Sequence, residues 1–157
     1  MSNKLFFKTV CGAIMALLLL NGCNKDVDNG LITSVYMRDK FNQTADTFVQ
    51  GDTINMTLSI KNDSTSTKTL SFSDNYQYDF IIRDGVGTEI WRWSALGLTL
   101  VNIATSFDLG PTDIQTITYS WNQNIDATPT AIDSGSYTLE ANFIGYGPVA
   151  QTTLIIP

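Results

Sequence analysis

From Thr53 to Lys61 apolar and polar residues alternate without a break. Ile54, Met56, Leu58 and Ile60 fall on one side; Thr53, Asn55, Thr57 and Ser59 fall on the other. Successive side chains of a strand point to opposite faces, so this spacing builds a strand with one buried face. It does not fit an amphipathic helix, whose apolar positions recur every three to four residues. The same period returns at Leu70 and Phe72, at Tyr76, Tyr78, Phe80 and Ile82, at Ile117, Tyr119 and Trp121, and at Tyr137, Leu139, Ala141 and Phe143. Leu31–Arg38 and Thr152–Ile156 carry it more weakly. No stretch after Cys23 sustains a helical period.

Polar turns punctuate these runs. Asn62-Asp63-Ser64-Thr65-Ser66 separates two of them. Asp84-Gly85-Val86-Gly87 joins Phe80–Arg83 to Ile90–Trp93 as a hairpin, with the glycines expected at positive φ. Gly110-Pro111-Thr112-Asp113 and Asp133-Ser134-Gly135 precede later strands, and Ala95–Asp108 reads as one long irregular segment. The expected fold is all-β: an immunoglobulin-like antiparallel β-sandwich of about 7–8 strands.

The first residues follow another logic. Lys4 and Lys8 precede an apolar run, Thr9–Leu20, about a dozen residues long. A membrane-spanning helix needs roughly 20. A basic start followed by a short apolar run is the pattern of an export signal. The run closes on Leu20-Asn21-Gly22-Cys23, which resembles the lipobox of bacterial lipoproteins. That resemblance implies cleavage after Gly22 and diacylglycerol on the Cys23 thiol. The expected organisation is a signal peptide over 1–22, a lipidated Cys23 and polar tether over 23–30, and a folded domain over 31–157. The membrane is then a partner through diacylglyceryl-cysteine, the expected location is the cell envelope outside the cytoplasm, and, where a cell has two membranes, the outer one.

Charge and residue types remove several functions. The chain carries nine basic and fifteen acidic residues, net −6. With Lys4 and Lys8 removed, seven basic residues face fifteen acidic ones, a net of −8. Such a surface lacks the clustered Lys and Arg that nucleic-acid binding requires. There is no His, so a Ser-His-Asp triad cannot form. Cys11 would leave with the signal and Cys23 would be acylated, leaving no disulfide and no cysteine-based metal site. Asp133-Ser134-Gly135 matches the aspartic-proteinase tripeptide, but no second copy exists to complete a carboxylate dyad. The turns around Asp63 and Asp84 lack the dense ligand spacing of a calcium loop. No catalytic residue, metal or cofactor is expected.

In mid-chain, Tyr78-Asp79-Phe80, a glycine hairpin, then Trp91-Arg92-Trp93-Ser94 resembles the intracellular proteinase inhibitor family named BsuPI. Gly51-Asp52, the alternating run ending in Lys61-Asn62, Trp121-Asn122-Gln123 and Gly135-Ser136-Tyr137 agree with the family in order and spacing. The match covers roughly Val49 to Phe143. Two details differ: Gly110-Pro111-Thr112-Asp113 stands where a Pro-Gly-Glu-like turn is usual, and Leu98 where an aromatic is usual.

The resemblance implies a non-catalytic binding domain that blocks a proteinase, or another envelope protein, with its loops. The contact residues expected are Asp84, Gly85, Val86 and Gly87 at the hairpin tip, and Ser94, Ala95, Leu96, Gly97 and Leu98 in the following loop. The alternative is an envelope scaffold or glycan-binding domain, motivated by Tyr76, Trp91, Trp93 and Trp121. Trp91 and Trp93 should share one strand face, with at least one in the core. Arg92 should point the other way and meet Asp79 as an exposed cross-strand ion pair.

Overall fold

The computed structural model describes residues 30–97, 99, 101–125, 130–147 and 149–157. The expected signal peptide, Cys23 and the tether as far as Asn29 lie outside the described residues, as does Leu98. Nine strands run through the described residues: β1 (Leu31–Arg38), β2 (Ile54–Asn62), β3 (Lys68–Phe72), β4 (Tyr78–Arg83), β5 (Glu89–Arg92), β6 (Thr105–Leu109), β7 (Ile114–Trp121), β8 (Gly135–Phe143) and β9 (Ala150–Ile156). They pair antiparallel as β1-β2-β7, as β5-β4-β8-β9, and as a small ribbon β3-β6.

The all-β sandwich is as expected, with one strand more. The extra strand is β6, inside the segment read as irregular. Only Phe107 and Leu109 alternate there, too few to register as a period. Partnership with β3 makes the strand: Leu70 sits opposite Phe107, and the Phe72 ring stacks on Phe107 at 6.1 Å.

The alternation in β2 becomes burial. Ile54, Met56, Leu58 and Ile60 are wholly enclosed, and across β2 they meet the apolar faces of β8 and β9 in one core. Aromatic rings join the two larger sheets. Trp91 from β5 lies 5.4 Å from Trp121 and 5.8 Å from Tyr119, both on β7. Each such ring removes a large apolar area from water.

β4 does not follow the simple pattern. It lies between β5 and β8, and Asp79, Phe80, Ile81 and Ile82 are all buried. Tyr76, expected in this strand, precedes it, in a turn where its N–H donates to the Asp74 carboxylate at 2.8 Å.

Candidate functional site

β4 and β5 form a hairpin, and the two segments expected to bind a partner lie at its opposite ends. The tip follows Arg83. The second loop leaves β5 at Arg92 and passes the start of β4. Five residue steps at ~3.3 Å put about 17 Å between the two ends, so they are two surfaces and not one.

The tip is a tight turn organised by one carboxylate. Asp84 Oδ1 accepts from the N–H of Val86 (3.0 Å) and of Thr88 (2.8 Å), an Asx-type turn. Only Gly87 takes a positive φ, +88°; Gly85 does not, so the expectation for both glycines is corrected. Val86 is the most exposed large apolar residue here, at 88 %.

The second loop is built differently. β5 ends at Arg92, and Trp93–Ala95 form a 3₁₀ turn closed by Leu96 N–H to the Trp93 carbonyl at 3.1 Å. Trp93 is therefore not on the strand with Trp91, contrary to expectation. Its ring stacks on Tyr78 at 4.4 Å, while Trp91 alone is fully in the core. Between Arg92 and Asp108 lie fifteen residues without a charge. Within them Leu96 (41 %), Val101 (42 %) and Ile103 (62 %) face solvent.

A splint from residues 75 to 79 holds this loop. The Asn75 side chain donates to the Thr99 carbonyl (3.0 Å) and accepts from Val101 N–H (2.8 Å). Gln77 donates to Thr105 Oγ1 at 2.8 Å. Tyr78 supplies the stack under Trp93. Asp79 accepts from Ser94 N–H (3.1 Å), Ser94 Oγ (2.8 Å), Tyr76 OH (2.6 Å) and Arg92 Nη1 (2.6 Å).

The Asp79–Arg92 pair is thus present but not exposed, which corrects the expectation. Asp79 is wholly buried and satisfied by four bonds; the 3₁₀ turn carrying Ser94 closes over it. Arg92 also grips Glu89 at 2.7 Å, and Arg83 bonds Glu140 at 2.9 Å. The Arg92 hydrogen bond holds the Glu89 carboxyl below its ordinary value. In return, the bonds to Glu89 and then Asp79 raise the already high Arg92 value further, against the cost of burial. Burial, and then the bond to Asp79, push the Tyr76 phenol up.

The remaining motif residues are structural. The Tyr137 hydroxyl donates to the Asp133 carbonyl at 2.8 Å, a tyrosine corner at the start of β8. A Cβ on Gly135 would stand 3.4 Å from that ring, at the near edge of ordinary contact. Asp133-Ser134-Gly135 is the turn into this strand. Burial, then Asp133 and Asp84, raise the Tyr137 phenol. Trp91 (3 %) and Trp121 (2 %) present no aromatic platform for a sugar, and the Tyr76 hydroxyl is engaged with Asp79. Among the described residues no group of three His, Cys, Asp or Glu converges on a metal position.

Sequence reasoning missed two buried amides. Asn62 donates to the Ser66 and Leu109 carbonyls, both at 2.8 Å. Gln123, at a positive φ of 63°, accepts from Gly51 N–H and donates to the carbonyls of Val49 and Asp52. It also missed Asn75. The available signal was that Asn62 and Gln123 belong to the quoted family motifs.

Those motifs lie far apart in sequence, yet the fold locks them together. Gly51 meets Gln123; Tyr78 and Asp79 meet Trp93, Arg92 and Ser94. Among solved structures the chain is similar to a β-glucosidase from Erythrobacter marinus, with 10 % identity over 81 % of this chain and 15 % of that one, TM-score 0.48. A β-glucosidase from Listeria innocua gives 11 % identity over 80 % and 15 %, TM-score 0.43. The chain therefore spans about 15 % of the length of either glucosidase. A CARDB domain from Pyrococcus furiosus gives 13 % identity over 82 % and 90 %, TM-score 0.41. No curated protein matches the sequence. The model of the intracellular proteinase inhibitor family matches residues 41–146, a span that takes in every one of these interlocked motifs, and the chain belongs to that BsuPI family.

Proposed function

We propose that residues 31–157 form an inhibitor domain that occludes a proteinase cleft with the loop Ser94–Leu100, and that lipid on Cys23 holds it at the cell envelope. The carrying observation is the uncharged stretch Trp93–Phe107, with Leu96, Val101 and Ile103 exposed on a braced loop. Three exposed apolar side chains within eight residues are a basis for a contact, because water is a poor neighbour for them. Family membership supplies the partner class.

Inhibition by this route breaks and forms no covalent bond. A convex loop fills a concave cleft and shuts out substrate, and a loop already held in shape loses little conformational freedom on binding. The hairpin tip, Asp84–Gly87, is the secondary candidate; it is smaller, charged, and at the other end of the β4–β5 hairpin. Among the described residues the glycan reading has no exposed aromatic pair behind it.

The test uses residues 24–157, which contain every strand and core residue among the described residues. Purified protein is assayed against chymotrypsin, elastase and subtilisin, with Leu96→Asp beside it. Inhibition weakened about tenfold or more by Leu96→Asp is expected, since a charge would enter an apolar contact. No inhibition of any proteinase at high molar excess sinks the inhibitor reading. For the anchor, Cys23→Ser should leave the membrane fraction; a variant that still sediments with lipid removes it.

A further inference from the structure

We propose that Asn75 is the positioning residue of the candidate inhibitory loop: its side-chain amide fixes the loop's shape before any proteinase arrives. The inference rests on the proteinase-facing reading of that loop. The base of the loop is tied down at Ser94, through Asp79, and Gln77 secures Thr105 at its far end. Between these anchors the chain carries the exposed Leu96 and Val101.

Asn75 reaches into that span. Its Nδ2 donates to the Thr99 carbonyl at 3.0 Å, and its Oδ1 accepts from Val101 N–H at 2.8 Å. One planar group thereby pairs with a backbone acceptor and a backbone donor two residues apart, as a neighbouring strand would. The separation and direction of the two peptide groups are set together. Neither an alcohol nor a carboxylate can do this, because it takes a donor and an acceptor at fixed spacing. Asn75 is itself held from below: Asp74 caps the next residue, Tyr76, whose hydroxyl is locked to Asp79.

Asn75 is exposed, and its bonds lie outside the core. Hydrogen bonds in water contribute little to global stability. Their effect here is local: they remove alternative loop conformers, so that less ordering has to accompany binding. A residue that positions the loop and one that merely supports the fold therefore give different results.

The experiment compares wild type, Asn75→Ala and Asn75→Asp in residues 24–157. Three quantities are measured: amide exchange at Val101, the rate of chymotryptic cleavage between residues 95 and 101, and inhibition of the three proteinases above. In Asn75→Ala, exchange and cleavage should each rise about tenfold or more, and inhibition should weaken by a similar factor. The thermal midpoint should move by only a few degrees. Asn75→Asp keeps the acceptor for Val101 but loses the donor to Thr99, so it should recover Val101 protection and only part of the inhibition. Wild-type exchange at Val101 in Asn75→Ala overturns the proposal, as does inhibition unchanged by a loop that has loosened. If wild type inhibits nothing while Asn75→Ala still exposes Val101, the inhibitor reading falls and Asn75 stands as the residue that fixes the loop.

Discussion

The two ends of the β4–β5 hairpin solve the same problem with different means. At the tip, four residues turn the chain, and one half-buried carboxylate, Asp84, with Gly87 at positive φ, organises it. At the other end a long uncharged loop opens on a 3₁₀ turn, with Gly97 at positive φ, and these local features are not its only supports. It is held from outside by the 75–79 segment through Asn75, Gln77, Tyr78 and Asp79. A short turn is shaped by its own residues; a long loop that keeps one shape borrows it from neighbours.

The largest effect should come from the buried carboxylate. Asp79→Ala strips Arg92, Tyr76 and Ser94 of a shared acceptor and should lower stability by about 3–5 kcal/mol, the range for breaking a buried charge pair. Denaturant unfolding measures this. A loss under about 1 kcal/mol would show that the loop end stands without its hub, and the contrast between the two ends would collapse.

At the tip the effect should be smaller and purely a backbone one. Gly87 has φ +88°, and an added Cβ would meet nothing within 4 Å. Gly87→Ala should therefore cost about 1–2 kcal/mol from left-handed strain alone, with the Val101 amide as protected as in wild type. Faster exchange at Val101 would mean the two ends are coupled through β4 and β5.

The smallest effect concerns Glu89, which sits near the tip but bonds Arg92 from the loop end. Its folded pKa is depressed below the ordinary 4.5 by that bond. A depressed carboxylate contributes stability above its unfolded value, and the contribution is lost as pH falls through the folded one. Wild type should thus melt above Glu89→Gln at neutral pH, with the gap closing below about pH 4.5. A gap that persists at pH 2.5 would assign the difference to packing and not to the Arg92 bond.

Much of the strand plan was legible. The expected strand Leu31–Arg38 has the boundaries of β1, and the alternation at Ile54, Met56, Leu58 and Ile60 is a wholly buried row. β6 was not legible, since two alternating residues do not make a period and its partner β3 lies over thirty residues earlier. For the candidate site, the two loops follow from the expectation that loops on a rigid scaffold carry binding. Their separation does not, nor does Asn75, whose importance lies in what faces it and not in its neighbours in sequence. The strand pattern pairs Asp79 with Arg92, as the structure does, but places the pair in solvent, because nothing in a strand's period tells that a later turn will fold over its polar face.

By itself the chain's order of residues determined most of the strands and the turns that end them, which depend on side chains a few positions apart. The assembled fold alone decided which polar groups lose contact with water and which loops share a surface. Those outcomes depend on register and layering between segments dozens of residues apart, and local spacing carries no record of that distance.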